Sequence, residues 1–265
     1  MAKDLELNRT FDTSSSVYDK MRPNYVAELY KKIFDYISIT PDSCVVEVGS
    51  GSGQATRPIL DTGCKLTAVE YGEHLSELLR EKFGKYKNFS VITGKFEDIS
   101  FADSSCDLVF SATAFHWIPE DIGYSKVFSM LRSGGVFARF ANRPSISRNP
   151  SAITQKIERL YDEYYYSYYK KERGTKQAFT EEQAEKIATI PEKYGFTDLQ
   201  YHLFGRERVF SADEYVQLLS TYSDHIAMKK AVREEFFSKI AEAINYHGGT
   251  ITIYDTLDLE LARKP

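Results

Sequence analysis

Apolar residues in this chain come in short runs that end at glycine or at an acid, and the runs alternate with stretches of helical periodicity. Val26, Leu29, Tyr30, Ile33, Phe34 and Ile37 fall at helical spacing, so residues 1–40 read as a polar lead and an amphipathic helix that Pro41-Asp42 stops. Residues 44–48, 65–69, 89–92, 106–110 and 136–138 are apolar runs short enough to be strands. Their alternation with helical segments over 42–141 predicts a parallel sheet with helices on both faces. Met130-Leu131-Arg132-Ser133-Gly134-Gly135 reads as a helix end and a tight turn before the fifth strand. Pro58 suits the first turn of the helix after the first strand, where its missing N–H removes no bond.

Beyond residue 142 the pattern changes. Residues 151–171 predict a helix crowded with Tyr161, Tyr164, Tyr165, Tyr166, Tyr168 and Tyr169. Two readings stay open: tyrosine hydroxyls reaching water from a helix packed on the core, or one wall of a ligand pocket. Residues 199–210 predict a further strand, 213–220 and 233–246 two helices, and 250–261 a last strand. The period-two alternation of that last run points to an antiparallel strand with one wetter face.

Candidate chemistry gathers where the first strand stops, at Glu47-Val48-Gly49-Ser50-Gly51-Ser52-Gly53-Gln54. The glycines allow positive φ and leave no Cβ, so backbone can approach a bound molecule while N–H groups at the next helix start face it. Ligands of doubly wound sheets sit at the carboxyl ends of the strands, where the strand order reverses. There the second strand ends in Glu70, placed to accept both hydroxyl hydrogens of a ribose. The third leads into Phe96-Glu97-Asp98 and the fourth into Ser111-Ala112-Thr113-Ala114-Phe115-His116-Trp117. Glu47 ends a buried strand, where an unpaired charge is costly, so it needs a partner.

Composition narrows the partners. With 34 basic and 38 acidic residues interspersed and a formal net charge of −4, no long basic tract exists to neutralise phosphates, which argues against nucleic acid. No run approaches the roughly 20 apolar residues that span a bilayer, and the start lacks the apolar core of a secretory signal. No membrane association and a cytoplasmic location are therefore expected. Cys44, Cys64 and Cys106 lie in or beside core strands and read as buried thiols. Neither they nor His74, His116, His202, His225 and His247 show metal-ligand spacing, so no metal is expected.

Taken in order, the motifs resemble those of class I S-adenosylmethionine-dependent methyltransferases, in particular the small-molecule group called methyltransferase type 11. The matching stretches are residues 47–53, Glu70, Phe96-Glu97-Asp98, Asp107-Leu108-Val109 and Leu131-Arg132-Ser133-Gly134-Gly135. Tyr18-Asp19-Lys20-Met21-Arg22-Pro23-Asn24-Tyr25 is similar to the opening motif of trans-aconitate methyltransferase-like proteins. The resemblance implies an α/β, Rossmann-like, seven-stranded and mostly parallel sheet, its last strand antiparallel, with helices on both faces and helical cap insertions. It also implies a cap over the cofactor at 1–40 and a cofactor-binding core at 41–141. A helical insertion shaping substrate choice would follow at 142–198, and C-terminal strands with a helical insertion would complete the sheet at 199–265.

S-adenosyl-L-methionine is the cofactor the resemblance implies. Gly49, Ser50, Gly51 and Gly53 would cradle its methionine side, with Glu47 facing the cationic portion or else ion-paired to a basic side chain. Glu70 with Tyr71 would meet the ribose, Phe96 with either Glu97 or Asp98 the adenine, and Ser111 and Ala112 the space beneath the sulfonium. Tyr18 and Arg22 would lie at the cofactor carboxylate, a capping salt bridge being the alternative. His116, Trp117, Tyr165 and Tyr222 would line the substrate pocket, although His116 and Trp117 read equally well as a packed aromatic and a hydrogen-bonded imidazole.

A sulfonium makes its methyl electrophilic, so alignment of an O, N or C nucleophile of a small-molecule methyl acceptor supplies most of the reaction. No catalytic residue is required, and His116 or Tyr25 is a candidate base where the acceptor must lose a proton. A monomer and a homodimer both fit the sequence. Among rivals, a nicotinamide-dependent oxidoreductase shares the glycine turn and the ribose acid, but here the third glycine comes too soon and no Tyr-x-x-x-Lys pair follows the fourth strand. A non-catalytic cofactor-binding protein remains the alternative in another class. An Asn-Pro-Pro-Tyr motif for base methylation is absent.

Overall fold

A computed structural model describes residues 19–146, 151–173 and 179–265. Seven strands carry it: β1 Cys44–Val48, β2 Lys65–Glu70, β3 Phe89–Thr93, β4 Cys106–Ala112, β5 Leu131–Ser145, β6 Thr197–Ser211 and β7 Thr250–Arg263. They form one sheet in the order β3-β2-β1-β4-β5-β7-β6, parallel from β3 to β5 and with β7 antiparallel to β6. Order reverses between β1 and β4, so the loops leaving those strands diverge and open a crevice at their carboxyl ends. The fold expected from the motifs is the one observed.

Central strands are apolar on both faces for a reason visible in the packing. In β1, Val45 joins one apolar cluster while Val46 and Val48 join another; in β4, Leu108 and Phe110 alternate in the same way with Val109. On the first face Leu29 and Ile33 of helix Ala27–Tyr36, Ile59 and Leu60 of Thr56–Leu60, and Leu79 and Phe83 of Glu73–Phe83 cover the sheet. Helix Glu120–Met130 covers the second face with Tyr124, Val127 and Met130. Phe110 and Phe140 stack at 6.2 Å, and each such fully buried side chain contributes about 1.5–3 kcal/mol. Asp107 ties the base of β1 to β4 by accepting from the Cys44 N–H at 2.7 Å.

The chain divides into two compact units. One is Pro23–Arg143, Phe179–Phe204 and Leu257–Pro265, which holds both clusters just described; the other is the described part of Met1–Arg22, Pro144–Ala178 and Gly205–Thr256. In the second unit Ile157, Leu160, Leu218, Phe236, Ile240 and Ile253 form the interior. Among the described residues no helix is long and apolar enough to cross a membrane.

Two elements differ from the sequence expectation. β5 begins at Leu131 rather than Val136, because Leu131 already pairs with Cys106; residues between that pair and Leu108–Val136 loop out, with Gly134 at φ 77°. The tyrosine-rich helix widens into a π-turn over Tyr161–Tyr166, and several of its hydroxyls bond the protein. Tyr161 meets His225 Nε2 at 3.0 Å, Tyr165 donates to Asp224 Oδ2 at 2.7 Å, and Tyr168 accepts from the Lys229 N–H at 3.1 Å. Helical spacing places them on the side that faces residues 222–236, a pairing no local pattern encodes.

In this unit Arg206 and Arg208, two apart on β6, both clasp the fully buried Asp255 of β7 with bonds of 2.6–3.0 Å. Removing the carboxylate strands two partly buried guanidinium groups. Asp255→Ala is expected to lose about 3–5 kcal/mol of stability in urea denaturation, as for other broken buried ion pairs.

Candidate functional site

The crevice at the carboxyl ends of β1, β2 and β4 is built from backbone and two acids. Gly49, Gly51 and Gly53 take φ of 70°, 56° and 87°, a region that side-chain-bearing residues avoid. A Cβ on Gly49 would lie 2.4 Å from the Ala114 Cβ, so the loops leaving β1 and β4 touch through bare backbone. A Cβ on Gly53 would lie 2.5 Å from the Phe83 ring.

Glu70, at the end of β2, is buried and accepts from the Gly51 N–H at 2.7 Å and the Gly72 N–H at 2.8 Å. Its carboxylate therefore points into the glycine loop and shapes it. Gly49 and Ser50 donate to the Val69 carbonyl at 2.9 and 3.2 Å, and Gly53 to the Ser50 carbonyl at 2.9 Å. The N–H groups of Gly49, Ser50, Gly51 and Gly53 are thus engaged within the protein. At these positions the loop presents a carboxylate rather than an anion nest, which disfavours a dinucleotide pyrophosphate.

Glu47, the fourth residue of β1, has no solvent exposure. Thr56 donates to its Oε2 at 2.6 Å, while Oε1 is buried with no hydrogen bond. Ser50 lies close enough to favour the charged form weakly, without the alignment of a formed bond. Burial dominates and pushes the carboxyl up to about 8, with the Thr56 and Ser50 hydroxyls opposing and the nearby Glu70 adding to the rise. No basic side chain pairs with it among the described residues. A buried carboxylate, Glu70, and a buried carboxyl, Glu47, thus flank one glycine loop, and a cation bound there would offset the cost of ionising Glu47.

The remaining expected site residues separate by unit. Ser111 is fully buried and donates to the Val48 carbonyl at 2.8 Å, next to Ala112 at the end of β4. Phe96 is buried, Glu97 half-buried and Asp98 exposed in a short 3-10 turn, where Lys126 donates to the carbonyls of Phe96 and Glu97 at 2.6 and 2.9 Å. Tyr71 lies under the Lys95 ammonium at 5.7 Å. His116 and Trp117 pack together, ring centres 4.9 Å apart, on the turn after β4. The His116 ring is open to solvent although chain crowds around it; burial, then Arg139 and Arg143, hold its imidazole below the usual histidine range.

Tyr165, Tyr222 and Arg22 belong to the other unit. There Arg22 donates to the Thr221 carbonyl at 2.9 Å and lies 4.6 Å over the Tyr222 ring. Tyr18 lies outside the described residues. Two participants escaped the sequence reading. Thr113 adopts φ 56°, an outlier for a β-branched residue, and its Oγ1 lies 2.6 Å from the Tyr25 hydroxyl while accepting from the Asn142 N–H at 3.1 Å. Lys82 donates to the Ser52 carbonyl at 2.6 Å and closes the cradle from helix Glu73–Phe83. Neither position carries a local signal, because both act across long sequence separations.

Comparison with known proteins agrees with this geometry. Residues 46–138 match the methyltransferase domain family Methyltransf_11. An uncharacterized methyltransferase from Schizosaccharomyces pombe is 26% identical over 239 residues, spanning 90% of this chain and 88% of that protein. Among solved structures, a protein from Anaeromyxobacter dehalogenans assigned to type II methyltransferases superposes with a TM-score of 0.63 at 18% identity, covering 91% of this chain and 97% of that one. Phosphoethanolamine N-methyltransferase 2 of Haemonchus contortus, bound to phosphomonomethylethanolamine and S-adenosylhomocysteine, gives a TM-score of 0.56 at 15% identity. That match covers 97% of this chain, which spans 60% of the longer protein. Sheet order, glycine cradle and matched domain together define the chain as a class I S-adenosylmethionine-dependent methyltransferase. S-adenosylmethionine is its cofactor.

Two measurements test this geometry. Gly49→Ala and Gly134→Ala both force alanine into positive φ, at roughly 1–2 kcal/mol each, but nothing lies within 4 Å of the Gly134 position. Chemical denaturation is therefore expected to show the larger loss for Gly49→Ala, the excess measuring the contact with Ala114. For Glu47, the folded carboxyl keeps its proton up to about pH 8 while the unfolded one loses it near 4.5. The folded state then binds more protons across that window, so stability falls as pH rises through it. Glu47→Gln should show a flatter stability profile than wild type between pH 4.5 and 8.

Proposed function

We propose that this methyltransferase acts on a small-molecule acceptor, transferring the methyl group by in-line displacement to an O, N or C atom. The observation that carries the cofactor side of this reading is the pair of buried acids, Glu47 and Glu70, around a loop whose Gly49, Ser50, Gly51 and Gly53 N–H groups are already engaged. The residues present fit the cofactor: Oε1 of Glu47 and the hydroxyl of Ser50 are buried polar atoms without a formed bond beside a cradle stripped of Cβ atoms. Glu70, buried at the end of β2 beside the loop, is the acid that would receive the two ribose hydroxyls. Half-buried Glu97 suits the adenine amino group better than exposed Asp98, with Phe96 packed beneath.

When bound, S-adenosylmethionine supplies an electrophilic methyl group on sulfur. What the chain contributes is placement. Ser111, anchored on the Val48 carbonyl, and Ala112 would floor the space beneath that methyl, and the Thr113–Ala114 backbone against Gly49 limits the water there. His116, held toward its neutral form, can accept a proton from an acceptor hydroxyl or ammonium; an acceptor carboxylate needs none. The Tyr25 phenol, fixed by Thr113, is a second group of that kind. Small-molecule acceptors suit a chain without a basic tract, and three unbridged thiols, Cys44, Cys64 and Cys106, suit a cytoplasmic setting.

Titration calorimetry with S-adenosylmethionine and S-adenosylhomocysteine tests the ribose assignment. Glu70→Ala is expected to weaken both by about 2 kcal/mol or more, roughly thirty-fold, by removing a doubly accepting charged group. Affinities within two-fold of wild type would remove Glu70 from the site.

A further inference from the structure

One ammonium holds the turn that follows β3. Lys126 donates to two consecutive carbonyls, Phe96 at 2.6 Å and Glu97 at 2.9 Å, and its Nζ lies 4.9 Å from the centre of the buried Phe96 ring. The turn is three residues long, Phe96–Asp98, and of its backbone bonds the one from the Asp98 N–H to the Lys95 carbonyl is 3.0 Å while that from the Ile99 N–H to the Phe96 carbonyl stretches to 3.4 Å. Carbonyls ending so short a turn lack partners within it, and a cation beside them satisfies two at once. Lys126 reaches them from the middle of helix Glu120–Met130, which Tyr124, Val127 and Met130 hold on the sheet. The turn is thereby fixed to a packed helix as well as to its own strand.

What the turn carries is the half-buried Glu97. Both printed bonds of Lys126 go to backbone carbonyls rather than to that carboxylate, so the clamp sets where Glu97 stands without consuming its oxygens. Register places the turn beside Glu70. That residue pairs with Thr93 across β2 and β3, and its carbonyl accepts from the Gly94 N–H at 2.9 Å. A nucleoside gripped at Glu70, with its cationic end toward Glu47 on the β1 side, therefore extends its base to the β3 side, where Glu97 stands.

A carboxylate accepts hydrogen bonds and donates none, so it welcomes an amino group and opposes a carbonyl. Discrimination between the two needs the carboxylate to stay in place, since one that swings aside no longer opposes the wrong group. We propose that Lys126 is a positioning residue for base recognition: by spanning the Phe96 and Glu97 carbonyls it fixes Glu97 as the acceptor that distinguishes a 6-amino purine from a 6-oxo purine. The assignment rests on the reading above that puts Glu97 at the adenine amino group, and adds the side chain on which that selectivity depends.

Calorimetric titration of the full chain compares S-adenosylhomocysteine with S-inosylhomocysteine, in which a carbonyl replaces the amino group of the base. Wild type is expected to prefer the adenosyl ligand by about ten-fold or more. Glu97→Gln, whose amide can face either group, should remove most of that preference. Lys126→Met keeps an apolar stem over Phe96 but no donor, and should lower the preference by roughly three-fold or more, while Lys126→Arg, which can span both carbonyls, should keep it within about two-fold of wild type. Lys126→Gln carries the same expectation as Lys126→Met should methionine cost the fold, which circular dichroism reports. A purely structural lysine would weaken both ligands alike and leave their ratio unchanged. A wild-type ratio in Lys126→Met and Lys126→Gln, or a ratio lost equally in Lys126→Arg, overturns this proposal alone when Glu97→Gln still lowers the preference. Wild type without preference, or Glu97→Gln without effect on it, sinks the adenine assignment and this proposal with it; wild type that binds neither ligand sinks the cofactor reading beneath both.

Discussion

The bond from the Gly51 N–H to the Glu70 carboxylate sets the terms for the site. It joins the end of β2 to the loop leaving β1, and it is possible only because glycine at positive φ turns its N–H toward the neighbouring strand. With Gly49 and Ser50 held on the Val69 carbonyl, the loop is pinned to β2 along its first half. Lys82 then holds the Ser52 carbonyl from the far side. The result is a rigid rim of backbone and carboxylate, pre-shaped before anything binds, so little conformational entropy remains to be lost on binding.

Such a rim concentrates negative charge where water is scarce. Glu47 shows the consequence: fully buried, near a second carboxylate and without a basic partner among the described residues, it retains its proton near neutrality. The interior that makes this tolerable is the doubly covered centre of the sheet, where Val45, Leu108 and Phe110 on one face and Val46, Val109 and Phe137 on the other exclude solvent. Packing density and electrostatics are thus one arrangement seen twice. Backbone strain of about 1–3 kcal/mol at Thr113 belongs to it as well, since φ 56° is what brings Ala114 down onto Gly49 and the Thr113 hydroxyl onto Tyr25.

Chemistry on the second sheet face follows from alternation. Arg139 and Arg143, like Asp258 and Glu260, occupy positions that strand geometry directs away from the Phe140 cluster, and they meet only because β7 enters the sheet next to β5. Between β6 and β7, Arg206 and Arg208 share the single carboxylate of Asp255 through direct bonds.

Sequence alone determined the strands at 44–48, 65–69, 89–92 and 106–110, to within two residues of their ends, because burial on both faces forces continuous apolar runs, and the glycine turn, because only glycine tolerates its φ angles. Glu47, Glu70 and Ser111 were legible for the same reason: a polar residue at the end of such a run has nowhere to go but the crevice. Tertiary structure decided what depends on which strands become neighbours. The capture of the loop N–H groups by Val69 and Glu70, the bonding of the tyrosines to Asp224 and His225, the stacking of Arg22 on Tyr222, and the strained Thr113 all join residues far apart in the chain. Hydrogen bonds and desolvation are set by distance in space, and periodicity along the chain carries no record of it.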